Sequence, residues 1–438
     1  MRIFDYLMWP LALALFGPVW LLHSPYLLDL RGLFFLGLPV LILIAAAVLL
    51  WSRGVWSAAP GVIMLIAVAT GIYIEASRIH QRERVDAADP KLVRMLGRHI
   101  VLGYRDVDRL EAMLRDKGLA GFFISGYSVD GRGAEELTAE IARLQRAGAE
   151  PGQPLLVSAD QEGGPVSRLS PPLEYQKPLQ EEIDADDPEG TAARVRAYSR
   201  KQAAGLVRLG VNVNFAPVVD LKKSYDNLLD FHTKIADRAL HERPEIVASA
   251  ATVYAREMHA AGVLTTLKHF PGLGRVPEDT HHFDAEVDAA SGALEDSDWL
   301  PFRRVARDTG AMIMLGHVKV RALDERYAAS HSEKVVRVLR DEWRHTGLLI
   351  TDDMCMNPVV QSPGGVGGAA VRALNAGVDL LLISYHPERY YEVMDALLEA
   401  HAEGRLDQER LAESQLRIAN ARSRLARGTA GIQAGGAP

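Results

Sequence analysis

The segment KHFPGLGRVPEDTHH, Lys268 to His282, brings cationic, imidazole and carboxylate side chains together in one short stretch. Asp279 lies two residues before His281. An imidazole can give and take a proton near neutral pH, and a neighbouring carboxylate can fix its tautomer and stabilise its charged form. Asp279 and His281 are therefore a candidate general acid/base pair. An isolated Asp-x-His sequence is more typical of a surface turn, but this one closely follows Lys268 and His269.

The same segment offers a second interpretation, a metal site formed by His269, His281 and His282. Their spacing matches no compact zinc motif such as HExxH. We therefore expect acid/base chemistry here, with no metal ion and no other cofactor.

Two adjacent carboxylates, Asp352 and Asp353, end the apolar run of the segment ITDDMCM. Neighbouring side chains of a strand point to opposite faces, so one carboxylate should face the substrate and the other should support it. Asp352 is the candidate nucleophile, because a carboxylate can attack an acetal carbon and form a covalent glycosyl ester. With Asp279 and His281, this residue predicts cleavage of a glycosidic bond.

Further charged residues are candidates for substrate binding. Asp160, in DQEGGPVSRL, with Arg168 reaching back to it, would suit recognition of sugar hydroxyl groups by charge-assisted hydrogen bonds. A structural ion pair beneath the loop explains the same spacing, so both interpretations stay open. Arg238, in KIADRALHERP, is a residue of the same kind. The run Gly364–Gly368 lacks the GK[ST] ending of a phosphate-binding loop and predicts a flexible loop.

Eight apolar runs position these residues, and most of them end in polar or turn-forming side chains. The runs are His99–Tyr104, Gly121–Ser125, Pro154–Asp160, Asn212–Asp220, Val263–Phe270, Ala311–His317, Gly347–Asp353 and Val378–Ser384. Amphipathic helical patterns fill most of the gaps. Eight strands alternating with helices predict an α/β fold, specifically a (β/α)8 TIM barrel with a parallel sheet. Catalytic groups of such barrels lie at the carboxyl ends of the strands, where many of the candidate residues fall.

The beginning of the chain has a different composition. Three runs contain no Asp, Glu, Lys or Arg: Tyr6–Leu22, Leu33–Trp51 and Val55–Ile74. Each is about as long as the roughly 20 residues that cross a bilayer, and Trp residues lie near their ends. A cleaved export signal is the alternative for the first run, but no small-residue cleavage site follows Leu22. The pattern predicts a membrane region of three transmembrane helices over residues 1–76.

The remaining chain divides by composition into a charged linker over residues 77–91, a catalytic barrel over 92–427 and a disordered Gly/Ala-rich tail over 428–438. The distribution of Arg around the apolar runs favours a multi-pass protein of the bacterial inner membrane with a cytoplasmic barrel, and a periplasmic barrel is the alternative. The net charge of −7 and the lack of a basic, aromatic-rich patch argue against nucleic acid as a partner. The one cysteine, Cys355, excludes an internal disulfide framework.

The motifs together resemble glycoside hydrolase family 3, and within it the single-domain bacterial β-N-acetylhexosaminidases of peptidoglycan turnover. The segments DQEGG, NFAPVVDL, IADRAL, KHFPGLGRVPEDTH, GHV and TDDM follow the family's order and rough spacing. The resemblance covers about residues 92–425. It implies a TIM barrel with Asp352 as the nucleophile and His281, supported by Asp279, as the acid/base. It also implies that N-acetylglucosamine is bound by Asp160, Arg238, Lys268 and His269.

Two positions depart from the family's common pattern. Leu273 stands where KHFPGHG has His, and Pro165 stands where DQEGGR has Arg. Since neither position is among those assigned to the reaction, we expect the two changes to affect the fit of the substrate more than the chemistry.

The expected function is that of a membrane-anchored, retaining exo-β-N-acetylglucosaminidase that hydrolyses peptidoglycan-derived fragments such as muropeptides. Two alternatives stay open. In the first, phosphate replaces water as the acceptor, which an imidazole acid/base would tolerate better than a carboxylate would. In the second, the barrel is a membrane sugar sensor that binds N-acetylglucosamine without turnover. The sequence leaves the oligomeric state open.

Overall fold

A computed structural model of the chain describes residues 9–10, 12–13, 28–51, 55–222 and 232–434. The contacts divide the chain into two compact units, residues 1–87 and 88–438. Each unit is described by itself.

Among its described residues, the first unit has two long helices, Leu28–Trp51 and Val55–Ala87, which pack against each other. Gly61 allows this packing, because a Cβ atom at this position would lie 3.0 Å from the Ala45 carbonyl oxygen. Many apolar side chains nevertheless point outward, and Leu50 is 89% exposed. The helix pair thus buries one face and presents apolar side chains on others.

The described residues give less support for membrane spans than the composition predicts. By length and composition, one segment, Ala58–Ala87, could cross a membrane, and Gly37–Trp51 is apolar but shorter. A buried core helix or a signal sequence would satisfy the same criterion. The predicted run Tyr6–Leu22 lies almost entirely outside the described residues. The predicted region of three transmembrane helices is therefore not supported, because only one described helix has the required length of apolar residues.

The second unit is a closed barrel of eight parallel strands, in which every strand pairs with its neighbours in the chain and the last strand pairs with the first. The strands are β1 Ile100–Gly103, β2 Gly121–Ile124, β3 Leu156–Ala159, β4 Val213–Asn214, β5 Leu264–Phe270, β6 Met312–Leu315, β7 Leu349–Asp353 and β8 Leu380–Ile383. The eight predicted runs each contain one of them. The predicted TIM barrel is confirmed.

Helices cover the outside of the barrel. The longer ones are Pro90–Gly97, Val107–Lys117, Ala134–Gly148, Pro188–Leu209, Pro244–Ala260, Trp299–Thr309, Gly365–Ala376, Arg389–Ala402 and Gln408–Ala434. Local signals set several of their ends. The side chains of Asp106 and Asp187 accept hydrogen bonds from backbone amides in the first turns of two helices. Gly118 and Gly210 end the same two helices in the left-handed conformation.

The strands are shorter than the apolar runs, and the difference is largest for β4. The sequence predicts a strand over Asn212–Asp220, whereas the ladder includes only Val213–Asn214. Pro217 has no N–H group to donate to a ladder, and Val218 rejoins the sheet through a single bridge to Lys268. The residues beyond each strand are therefore free to leave the sheet and enter the loops at the mouth of the barrel.

The helix Gln408–Ala434 closes the amino end of the barrel. Ile418 and Leu425 belong to the same buried cluster as the strand side chains. The Arg422 Nε donates to the carbonyl oxygen of Pro154, which precedes β3, at 2.7 Å. The helix continues to Ala434, into the tail predicted to be disordered, since its Ala residues favour a helix. With the amino end covered, the carboxyl ends of the strands are the accessible mouth.

Candidate active site

The predicted site residues converge at the carboxyl ends of the strands. One cavity is lined, among others, by Asp160, Arg168, Arg238, Lys268, His269, His281 and Asp352. Asp279 is buried and hydrogen-bonded to His281. The cavity encloses about 80 Å³, whereas typical ligand pockets measure roughly 300–1,000 Å³. A sugar ring therefore requires the loops around it to open.

Asp279 and His281 form a hydrogen-bonded pair on the loop that follows β5. The Asp279 Oδ1 lies 3.2 Å from His281 Nδ1 and accepts the backbone N–H of His281 at 3.0 Å. The first contact holds the ring by its Nδ1 side and the second fixes the backbone beside it, which leaves Nε2 as the atom that can exchange a proton with a substrate. The arrangement is that of an imidazole oriented by a carboxylate.

Additional donors surround Asp279. The Thr233 hydroxyl donates to Oδ1 at 3.1 Å, and the backbone N–H of His232 donates to Oδ2 at 3.2 Å. Burial by itself raises the pKa of the Asp279 carboxyl, but the hydrogen bonds from His281 and His232 outweigh it and hold that pKa well below its ordinary value. Asp279 is therefore a permanent negative charge beside the His281 ring. Thr233 and His232 lie far from this loop in the chain and carry no motif that would have predicted the contact.

The adjacent carboxylates Asp352 and Asp353 have different surroundings. Asp353 accepts the Ser384 hydroxyl at 2.6 Å and the backbone N–H groups of Ser384 and Cys355 at 2.9 and 3.1 Å. Its carboxylate thus joins the ends of β7 and β8. Asp352 accepts the backbone N–H of Asp353 at 2.8 Å and lines the cavity together with His269 and His281.

The electrostatic surroundings keep Asp352 ionised. Burial raises the pKa of its carboxyl, but the nearby His269, His317 and His281 lower it, and the net pKa lies below the ordinary value. His317 is itself held by Ser330 through Nδ1 at 2.8 Å and by the Asp353 carbonyl oxygen through Nε2 at 2.9 Å. An ionised carboxylate at the barrel mouth can act as a nucleophile.

Glu162, which was not among the predicted site residues, organises the cationic side of the cavity. Its Oε1 lies 2.7 Å from Arg238 Nη2 and 2.6 Å from Lys268 Nζ, and its Oε2 lies 3.0 Å from Arg238 Nε. Burial raises the pKa of Glu162, but the two cations lower it to about 2. Glu162 lies inside the motif DQEGG. Its negative charge, which could balance the predicted binding residues Arg238 and Lys268, is the one signal that could have identified it.

Asp160 and His269 are also positioned by long-range partners. Asp160 pairs with Lys268, with 2.6 Å between Oδ1 and Nζ. The Arg168 side chain is exposed at the cavity rim, and its backbone N–H donates to the Asp160 carbonyl oxygen at 3.0 Å. The His269 Nδ1 lies 2.8 Å from the buried Asp220 carboxylate. The cation that contacts Asp160 is therefore Lys268 rather than the Arg168 considered from the sequence.

The fold and the cavity together define a barrel enzyme that acts on glycosidic bonds. An ionised carboxylate and an oriented imidazole face one cavity at the carboxyl ends of a closed (β/α)8 barrel, and no metal ion is needed to supply either group. The comparison with known proteins agrees with this class. The family model described as the glycosyl hydrolase family 3 N terminal domain matches residues 79–421, and the chain belongs to this family of glycoside hydrolases.

Individual relatives are similar over most of the barrel. A protein of Xanthomonas campestris pv. campestris named beta-hexosaminidase is 36% identical over 262 residues, which cover 59% of this chain and 76% of the relative. A family 3 beta-N-acetylglucosaminidase from Paenibacillus sp. has a TM-score of 0.69 and 30% identity, covering 79% of this chain and 64% of that one. A family 3 glycosyl hydrolase from Mycobacterium smegmatis has a TM-score of 0.67 and 30% identity, covering 77% and 98%.

Proposed function

We propose that the chain is a retaining exo-β-N-acetylglucosaminidase that releases terminal β-linked N-acetylglucosamine from peptidoglycan-derived fragments. The observation that carries this proposal is the cavity shared by the Asp352 carboxylate, whose pKa is held low, and the His281 ring, which Asp279 orients. The similarity to a beta-hexosaminidase and to a beta-N-acetylglucosaminidase supports the choice of sugar.

The reaction proceeds in two steps. In the first, an Asp352 carboxylate oxygen bonds to the anomeric carbon, the bond to the leaving-group oxygen breaks, and that oxygen takes the proton from the His281 imidazolium. In the second, neutral His281 removes a proton from water while the water oxygen bonds to the anomeric carbon. The ester bond to Asp352 breaks, and both side chains return to their initial states. The charge of Asp279 stabilises the imidazolium before the first step and after the second.

The remaining polar side chains of the cavity bind the sugar. Asp160, whose side chain is 23% exposed, offers carboxylate oxygens to hydroxyl groups, and Lys268 and Arg238 offer N–H donors beside it. The His269 ring lines the same surface, and its Nε2 accepts from Arg238 Nη2 at 3.3 Å. Arg168 at the rim extends this surface toward the rest of the substrate. Because Glu162 already neutralises part of the charge of Arg238 and Lys268, the surface suits an uncharged sugar ring.

The test uses the purified full-length chain with an aryl β-N-acetylglucosaminide and the matching β-glucoside. We expect turnover of the acetamido sugar only. Replacement of the covalent nucleophile by Asp352→Asn should lower kcat by several powers of ten without loss of the folded state, as followed by circular dichroism. Turnover in methanol should yield the methyl β-glycoside, as read by NMR. A methyl α-glycoside would exclude the retaining mechanism, and full activity of Asp352→Asn would exclude Asp352 as the nucleophile.

The imidazole acid/base motivates one alternative acceptor. Inorganic phosphate would be repelled less by His281 than by a carboxylate, and its attack on the ester would yield the sugar 1-phosphate. A rate that rises with phosphate, together with this product, would assign the chain as a phosphorylase. Binding of N-acetylglucosamine without turnover of either kind would instead favour the sugar sensor.

We further propose that the first unit attaches the barrel to the bacterial inner membrane, with the barrel in the cytoplasm. The outward apolar side chains of the two helices and the apolar length of Ala58–Ala87 support this attachment. A membrane-bound enzyme would meet muropeptides where they enter the cell. The full chain should stay in the membrane fraction after alkaline carbonate extraction, and protease added to inverted vesicles should digest the barrel. Release by carbonate, or digestion only in vesicles of the opposite orientation, would contradict the proposal.

A further inference from the structure

Three potential metal ligands meet beside the acid/base pair: His232, Asp279 and His282. The His232 Nδ1 lies 3.1 Å from Asp279 Oδ2 and 3.2 Å from His282 Nε2, and the three ligand atoms all lie within 4.8 Å of one another. Asp279 is buried, whereas the His232 side chain is 38% exposed. The group therefore combines a buried anionic ligand, Asp279, with an exposed ligand, His232, that ions in solvent can reach.

Two of these three separations suit a tetrahedral ion. Donors at the 2.0–2.2 Å bond lengths of zinc lie about 3.3 Å apart when the angle between them is tetrahedral. The distances from His232 Nδ1 to each of the other two ligand atoms are within a few tenths of an ångström of this value. Two imidazole nitrogens and one carboxylate oxygen would leave a fourth position for water, and this donor set prefers zinc-class ions to Mg²⁺ or Ca²⁺.

The hydrogen count gives a second reason to consider a cation. The His232 Nδ1 contacts both Asp279 Oδ2 and His282 Nε2. If the His232 Nδ1 carries a hydrogen, it donates that hydrogen to the Asp279 carboxylate. If instead it accepts a hydrogen from His282 Nε2, then its lone pair and the carboxylate oxygen face each other without a hydrogen between them. Neutral rings thus cannot give both contacts a linear hydrogen bond, whereas one cation attracts all three atoms together.

We infer that His232, Asp279 and His282 bind a divalent transition-metal ion of the zinc class, and that this ion inhibits hydrolysis. The inference rests on the proposed function, because it requires Asp279 to support the His281 acid/base. Asp279 uses Oδ1 for His281 and Oδ2 for this group. A dication on Oδ2 would attract the carboxylate that orients the His281 ring. It would also tie the loop after β5 to the segment that begins at His232, and so oppose the opening of the cavity that a sugar ring requires.

The matched variants are His282→Gln, which removes one ligand, and His401→Gln, which changes a histidine of the helix Arg389–Ala402 elsewhere on the barrel. His282 is not among the residues that line the cavity, so the His282→Gln variant should keep its turnover in the presence of EDTA. We expect Zn²⁺ to inhibit the full-length chain and the His401→Gln variant, and EDTA to reverse the inhibition. In His282→Gln the inhibitory concentration should rise by about tenfold or more, since even outer-shell changes cost metal sites that much.

Binding is measured separately from activity with Co²⁺ as the probe. The Asp352→Asn variant, which retains all three ligands, should bind one Co²⁺ and show the intense visible absorption of a tetrahedral ion, and His282→Gln added to it should abolish that absorption. This readout stands even if the chain hydrolyses no sugar, so failure of the site differs from failure of the proposed function. Absence of the tetrahedral spectrum, unaltered turnover with the ion bound, or equal zinc sensitivity of His282→Gln and the parent chain would each overturn the inference.

Discussion

Neighbouring residues of this barrel acquire different properties from their contacts, as Asp352 and Asp353 illustrate. The Asp353 carboxylate oxygens accept hydrogen bonds from Ser384 and from backbone amides, whereas Asp352 faces the cavity beside His269 and His281. Two chemically identical groups therefore differ in the donors around them, and only the one turned to the cavity is available to a substrate.

The contribution of the His281 ring to bond cleavage should depend on how strongly the leaving-group oxygen needs a proton. General acid catalysis contributes about 10²–10⁴-fold, so His281→Gln should lower kcat/KM for a disaccharide by that factor. An aryl glycoside whose phenol is acidic should lose less, because its leaving oxygen needs little protonation. The measurement is kcat/KM on both substrates, with His401→Gln as the control. Equal losses on the two substrates would argue against an acid role for His281.

Glu162 should stabilise the fold most strongly at neutral pH. Its pKa is lowered to about 2 from the ordinary value of 4.5, so its contribution is present above pH 4.5 and is lost as the pH falls through about 2. Removing one partner of a buried ionic cluster costs about 3–5 kcal/mol. Glu162→Gln should lower the free energy of unfolding by this amount at pH 7, and by progressively less between pH 4.5 and 2.

Denaturant unfolding at a series of pH values measures this difference. The matched control is Glu174→Gln, because Glu174 is an exposed glutamate that pairs with Lys201 and surface pairs contribute about 0–1 kcal/mol. A constant difference between the Glu162→Gln variant and the parent chain across this pH range would contradict the assignment of the low pKa to Glu162.

At the scale of elements, the loop after β5 is anchored at its start. Asp220, beyond β4, accepts the backbone N–H groups of His269 and Leu273 at 3.1 and 2.7 Å. Leu273, where the family commonly has His, is buried and lines the cavity. At the far end, the Asn357 side chain donates to the carbonyl oxygen of His282 at 3.0 Å. The loop that carries the acid/base pair is therefore held by the segments that follow β4 and β7.

Gly274 is required by this anchoring. A Cβ atom at this position would lie 2.2 Å from the Leu221 backbone carbonyl oxygen, so the loop would have to shift. Displacing catalytic groups by about 1 Å can cost 10²-fold in rate. Gly274→Ala should therefore lower kcat/KM by up to about 100-fold and lower the melting temperature. Gly292→Ala is the control, because its added Cβ would meet no atom within 4 Å. Equal activity of the two variants would show that the loop adapts without consequence.

At the scale of the whole molecule, the barrel is completed by contacts between distant parts of the chain at its amino end. The buried Asp379 before β8 pairs with Arg417 of the last helix at 2.8 Å and with Arg340 before β7. Its Oδ2 also accepts the backbone N–H of Leu349 at 2.7 Å. One carboxylate thus joins two strands and the helix that covers them.

Asp379→Asn should destabilise the barrel without a direct effect on the site. The substitution removes the charge opposite the buried Arg340 and the partly buried Arg417, and we expect the free energy of unfolding to fall by about 3–5 kcal/mol. KM should stay unchanged at temperatures where the variant is folded, since Asp379 lies at the end opposite the cavity. Thermal unfolding and steady-state kinetics measure the two effects, and the exposed Asp341→Asn is the control. A changed KM in the folded variant would contradict this separation of the two ends.

The sequence determined the parts of this protein that short-range patterns encode. The eight apolar runs predicted every strand of the barrel and their order, because burial on both faces requires continuous apolar residues. The polar residues at their ends predicted which side chains would meet, because parallel strands bring their carboxyl ends to one mouth. The motifs also predicted the family. The predicted strand lengths were less accurate, because Pro217 has no N–H group to donate to the ladder. The predicted end of the last helix was also less accurate, because the Ala residues of the tail favour a helix over a loop.

The tertiary structure decided which charges pair. Lys268 contacts Asp160 and Glu162 across the barrel, and Asp279 receives His232 and Thr233 from a distant loop. Such partners are separated by many residues, and their distances depend on barrel closure and on the path of each loop rather than on any local period. Alternation along a strand predicts that Asp352 and Asp353 point to opposite faces. Only the hydrogen-bond donors that the folded chain places around Asp353 determined that this residue has the structural role.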